Sequence, residues 1–191
     1  MRLNFLIGNS ILLIIFPQQR KMTRVLFPQK IIHKYVITNS MNPIRKIFFY
    51  KKQLNGRGRF GGVELELKKV KEKSKVIDKC EWKDWKAYTV DFQETTYMKS
   101  IKAYILTSIE YILENYNCGI GLEIGLTDIK VLPSDTQPTH ILASAIIGVY
   151  GLISQHLNEN QIALIDKFII KNSDNEFPNY NELILEILKN N

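Results

Sequence analysis

Apolar and charged residues alternate from Val63 to Lys68, with Val63, Leu65 and Leu67 set against Glu64, Glu66 and Lys68. Side chains on a strand point to opposite faces in turn, so this pattern predicts a half-buried strand. Ile47 to Tyr50, rich in aromatic and branched residues, predicts a partner strand before it, with the intervening glycine-rich stretch as a hairpin wider than a two-residue turn. Val76 to Trp82, with Ala87 to Phe92 as a second candidate, is expected to supply a third strand. Tyr97, Ile101, Ile105, Ile109, Ile112 and Tyr116 then recur at helical spacing, with Thr95 and Thr96 before them and Gly119 after. Ile124, Leu126, Ile129 and Val131 form a further apolar strand, and Pro133 and Pro138 bound the polar loop that follows. Ile141 to Ile153 is apolar almost all round and carries Ala143, Ala145, Gly148 and Gly151, which predicts a buried helix that approaches a sheet closely. Gln161 to Ile170 and Tyr180 to Leu188 read as two more helices, joined by a polar turn. Together these elements predict an α/β (α+β) two-layer sandwich of βββαβα order, with one sheet of three to four strands, two helices on one face, and extra C-terminal helices.

The segment YKKQLNGRGRFGGVELELKK, Tyr50 to Lys69, holds most of the candidate chemistry. Gly56 and Gly58 let the backbone of the hairpin approach a ligand, while Arg57 and Arg59 offer forked donors suited to phosphate. Lys51 and Lys52 add point charges at the base, and Gln53 and Asn55 add directional hydrogen bonds. The order Lys51, Lys52, Gln53, a glycine-rich tip from Leu54 to Arg59, Phe60, Gly61 and a long alternating strand resembles the fourth domain of translation elongation factor G. A second segment, LTDIKVLPSDTQPTH from Leu126 to His140, extends the resemblance, which covers about 110 residues from Ile47 to roughly Gln155. The resemblance implies a left-handed crossover around the first long helix, and two tips, Leu54 to Arg59 and Pro133 to His140, side by side at one end of the sandwich. It also implies RNA contacts by both, with Gln137 standing where the family commonly has a histidine and His140 beside it. The loop is about two residues shorter than in the family, and the chain departs from it beyond His156, where the factor continues into a strand-rich domain.

Charge sharpens this picture. Residues 1–75 carry 17 Lys and Arg against 3 Asp and Glu, whereas residues 76–191 carry 9 against 16. An excess so concentrated favours a polyanion partner over a merely solvated surface. The run Lys68 to Lys75 reads as a solvated strand end, and Trp82 and Trp85 as core or sheet-edge packing. Cys80 and Cys118 lack zinc-ligand spacing, and His33, His140 and His156 are scattered, so no metal or other cofactor is expected. Sequence alone leaves a disulfide between the two cysteines open. Leu3 to Phe16 is apolar but interrupted, too short for a spanning helix of about 20 residues, and no small-residue cleavage pattern follows it. Met22 and Met41 allow a start placed upstream of the fold. The expected organisation is therefore residues 1–40 outside the fold, a domain at 41–157 and a helical extension at 158–191, in a cytoplasmic protein without stable membrane insertion.

No G-x-x-x-x-G-K-[ST] loop occurs, and GRGRFGG lies in a hairpin and opens no helix, so nucleotide binding is not expected. Asp128 and Asp135 bracket a strand end without an identifiable catalytic partner. The expectation is a non-enzymatic module that binds RNA or the ribosome. The alternative is a protein-interaction or structural domain of the same fold that no longer binds RNA.

Overall fold

The computed structural model describes residues 42–191 except 55, 117, 118, 133, 154, 190 and 191, so the expectations for residues 1–40 and for Cys118 lie outside the described residues. The chain folds as an α+β sandwich built on one mixed sheet. Its elements are β1 (Ile44–Leu54), β2 (Arg57–Val70), β3 (Lys75–Asp78), α1 (Lys83–Tyr88), α2 (Thr96–Asn115), β4 (Gly121–Lys130), α3 (Pro138–Leu152), α4 (Glu159–Lys171) and α5 (Asn181–Lys189). The strand order is β1-β2-β4-β3, with β1, β2 and β4 antiparallel and β3 parallel to β4.

The alternation in β2 does what its period requires. Val63, Leu65 and Leu67 are buried beneath the helices, while Glu64 and Glu66 stand on the open face. Helix α3 lies across β1 and β2, with Gly148 and Gly151 over the Phe48 ring, and α2 packs beside it. Helices α4 and α5 join the same core through Ile165, Ile169, Leu183, Ile184 and Ile187. The extension is thus continuous with the sandwich.

Three local expectations change. The β1–β2 hairpin is narrower than its glycines suggest: pairing runs to Leu54↔Arg57, with Gly56 in the turn that follows. Gly56 sits at φ +75°, the left-handed conformation that such tips require. Ala87 to Phe92 forms no strand, and the third strand is only Lys75–Asp78. After it comes α1, which takes in the start of that segment and whose first amide, Lys83 N–H, donates to the buried Asp128 carboxylate at 3.0 Å. Trp82, at φ 53° and buried, turns the chain into it, its indole N–H donating to Glu94 at 2.7 Å. A tertiary cap, rather than any periodicity, makes this short helix. Finally, α3 begins at Pro138, three residues before its apolar run, because proline is preorganised for a first helical turn.

Candidate nucleic-acid interface

A register shift between Glu64 and Leu65 leaves Thr127 as the extra residue of β4. Its hydroxyl donates to Glu64, and next to it Asp128 turns inward beneath Lys130 at 2.7 Å. Beyond this bulge β4 ends and the chain crosses in the Leu132–Gln137 loop to the hairpin. There the Phe60 N–H donates to the Asp135 carbonyl at 3.0 Å. Gly61 completes the junction: a Cβ at that position would stand 2.4 Å from the carbonyl carbon of His140. The Phe60-Gly61 pair therefore docks the hairpin onto the start of α3, and the two tips do lie together.

Their side chains have different fates. Arg57 and Gly58 are exposed and Arg59 half-buried. Neither arginine forms an ion pair within the described residues, and Arg59 Nε is buried without a hydrogen-bond partner there. Both line a cleft of about 370 Å³ with Asp135, Gln137, His140 and Asp174. Lys51 and Gln53 are exposed on the open face of β1. Lys52 points to the helical side and is held by Asp166 of α4 at 2.5 Å. The same carboxylate accepts the Tyr50 hydroxyl at 2.9 Å, and burial, together with this bond, pushes the phenol well above its ordinary range. Lys52 is therefore a latch between sheet and helix. Asn55 lies outside the described residues.

His140 is only 3% exposed. Its Nδ1 lies 3.1 Å from the Gln137 N–H and 2.9 Å from the Asp135 carbonyl, and its ring stacks on Tyr50 with centroids 6.1 Å apart. Burial, with help from nearby Arg59, lowers its pKa. As the third residue of α3 it ties the helix end to the loop, and it is not an exposed contact. Gln137 is exposed and its amide donates to the Ser173 carbonyl at 3.3 Å, which ties the loop to the α4–α5 turn. Sequence reasoning missed Asp166 and Asp174, and no local pattern could have found them: Asp166 lies 114 positions from the lysine it holds. Asp135 was noted, but not its role in holding the hairpin.

The rest of the open face is self-neutralised. Glu66 sits between Arg45 (3.6 Å) and Lys79 (2.6 Å), Glu64 pairs with Lys83 (3.1 Å), and Glu123 with Lys75 (3.1 Å). The Lys79 hydrogen bond holds the Glu66 carboxyl below its ordinary range. Lys68, Lys69, Lys71 and Lys73 are exposed at the far end of β2, the solvated run expected. Among the described residues, no group of His, Cys, Asp and Glu is arranged to hold a metal ion, and no helix is long and apolar enough to cross a membrane.

These features define an α+β sandwich with an arginine-bearing hairpin beside a helix-capping loop. No family model and no curated protein matches the chain. Among solved structures it is similar to the crystal structure of a protein from Thermus thermophilus, at 11% identity and a TM-score of 0.42. That match covers 69% of this chain and 21% of the other, so the chain spans about a fifth of that structure's length.

Proposed function

We propose that this protein is a non-enzymatic, cytoplasmic RNA-binding module that docks on the ribosome through the β1–β2 hairpin. The observation that carries the reading is the contrast in charge pairing: the central sheet answers its cations with carboxylates, while Arg57 and Arg59, lining a cleft, form no ion pair among the described residues. Forked guanidinium groups there suit phosphate oxygens, and Lys51, Gln53, Gln137 and the Gly56 and Gly58 backbone suit ribose and base edges. Binding of this kind is largely electrostatic. Sedimentation of the purified protein with ribosomes across a salt series tests it: the parent co-sediments at low salt and is released as salt rises, and Arg57→Ala with Arg59→Ala is released earlier. Equal retention of parent and variant at every salt concentration rejects the reading.

The carboxylates of Asp135 and Asp174 in the same cleft favour a second reading, a protein-interaction domain in which they pair with a partner's basic residues. Asp174→Asn separates the two. It strengthens or preserves RNA binding under the first and weakens partner binding under the second.

A further inference from the structure

Beside the hairpin, the open face of the sheet carries an apolar groove of about 570 Å³ lined by Phe49, Phe60, Trp85, Val131 and Leu132, with Asp84 and Lys130 at its edge. Its position follows from the strand register. Phe49 on β1 and Phe60 on β2 both point away from the helices, and their ring centroids lie 5.6 Å apart. Phe49 pairs across the ladder with Gly62, and a Cβ at Gly62 would stand 2.8 Å from Phe49 Cδ1. The missing side chain therefore lets the ring settle on the sheet, where Phe49 remains 49% exposed. Leu132 is 46% exposed at the opposite wall, and Ile47, 46% exposed, continues the patch along β1. Groove charge is internally cancelled, since Lys130 pairs with Asp84 at 2.8 Å.

The neighbourhood says what this patch suits. Lys51 lies opposite Phe60 in the ladder and Gln53 lies one step further along the same face, so the aromatic floor runs into a cation and an amide there, while Arg57 and Arg59, paired with Leu54 and Lys52, lie on the other face of the tip. A single-stranded nucleic acid needs such a pair: π-faces for unpaired bases and cations for the phosphates that join them. A four-stranded sheet with helices on one face and rings on the other is a known solution for base stacking. We infer that Phe49 and Phe60 form a stacking platform for unpaired RNA bases, whose phosphates pass Lys51 on the same face before the strand rounds the hairpin tip towards Arg57 and Arg59 on the other. The inference rests on the RNA-binding reading proposed above and adds to it the strandedness of the ligand and the face on which it lies.

The test compares a labelled single-stranded RNA of about 12 nucleotides, within the range of one single-strand binding site, with the same sequence locked in a perfect duplex. Both are titrated across a salt series against the parent, Phe49→Leu, Phe60→Leu, Phe49→Tyr and the double arginine variant. Leucine keeps the apolar bulk and removes the π-face. Phe49→Leu and Phe60→Leu should each lower affinity for the single strand by about tenfold, without changing the salt slope and without changing duplex binding, and Phe49→Tyr should bind as the parent does. Trp85 emission, from the groove wall, should change on addition of single strand to the parent and less in Phe49→Leu. If both leucine variants bind the single strand like the parent while the arginine variant is weakened, the platform is rejected and the arginine interface stands. Equal losses on single strand and duplex also reject it, because they report a disturbed hairpin. If the parent binds neither RNA, both readings fall together.

Discussion

The hairpin tip and the loop entering α3 are expected from sequence to play the same part, yet they meet at one end of the sandwich with opposite commitments. On the hairpin, Arg57 and Arg59 are left without ion pairs among the described residues. In the loop, Asp135 gives its carbonyl to Phe60, His140 is buried against Tyr50, and Gln137 reaches Ser173. One tip is held so that the other can stay free. A tight hairpin cannot anchor itself, and its position is fixed from behind by the glycine contact with α3 and by the Tyr50–Asp166–Lys52 link to α4. The lesson concerns polar residues near a candidate site: burial and partners, rather than residue type, separate those that face a ligand from those that hold the scaffold.

The largest effect is expected where the two regions touch. Gly61→Ala puts a methyl group 2.4 Å from the His140 carbonyl carbon, and both sides of that contact are backbone. Neither can turn aside, so the hairpin must lift from α3, at a cost of about 3 kcal/mol or more. Urea unfolding measures it. Gly58→Ala supplies the contrast. Its Cβ meets the Asp135 carboxylate at 2.7 Å, the far end of a side chain that can rotate away, and the expected loss is about 1 kcal/mol or less. Similar midpoints for the two variants would show that Gly61 is not the joint between the regions.

Next in size is the change that should touch only the free region. Arg57→Ala with Arg59→Ala should leave the unfolding midpoint almost where it was, since neither guanidinium has an ion pair to lose among the described residues. The log–log salt dependence of RNA binding should flatten by roughly 1.4, about 0.7 for each single-strand phosphate contact. A stability loss as large as that of Gly61→Ala would place the arginines with the scaffold.

Asp166→Asn tests the link behind the hairpin. It removes the charge that holds Lys52 and keeps an acceptor for Tyr50. Because Lys52 and Asp166 remain partly exposed, with 34% and 21% of their side-chain surfaces accessible, the cost should be about 1 kcal/mol. Binding should hardly change, which a mobile, ligand-facing Lys52 would contradict.

The sequence made the buried scaffold readable where periodicity reports it. Val63, Leu65 and Leu67 follow period two, and Ile101, Ile105, Ile109 and Ile112 follow a helical stripe, and all seven are buried. The glycine stretch misled because its strand character comes from backbone pairing, Gln53↔Gly58 and Leu54↔Arg57, which leaves no trace in side-chain pattern. The dipeptide Asn55-Gly56 was the signal for a tight hairpin and was outweighed by the other glycines around it. Helix α1 was hidden for another reason, since its cap, Asp128, lies 45 residues away. His140 shows the limit most clearly. A histidine in a polar loop reads as exposed chemistry, and nothing local reveals that Gly61 opens a place for α3 to press that turn into the sheet.

The smallest effect concerns the same histidine and comes from pH. Burial lowers the pKa of His140 below its ordinary 6.5, so the folded protein holds it neutral where an unfolded chain begins to take up a proton. A group whose folded pKa is depressed contributes stability that is complete above the unfolded value and is lost as pH falls through that value towards the folded one. The parent should therefore lose stability from about pH 7 downwards, before most carboxylates titrate. Arg59 and Asp135 flank the ring, one opposing its protonation and the other favouring it, which keeps the change modest. His140→Gln removes the titrating group, and the difference between parent and variant midpoints should shrink steadily between about pH 7 and about pH 5, because only the parent pays for protonation there. A constant difference across that window would mean that the ring titrates as an exposed histidine does, and the loop would then belong with the free region and not with the scaffold.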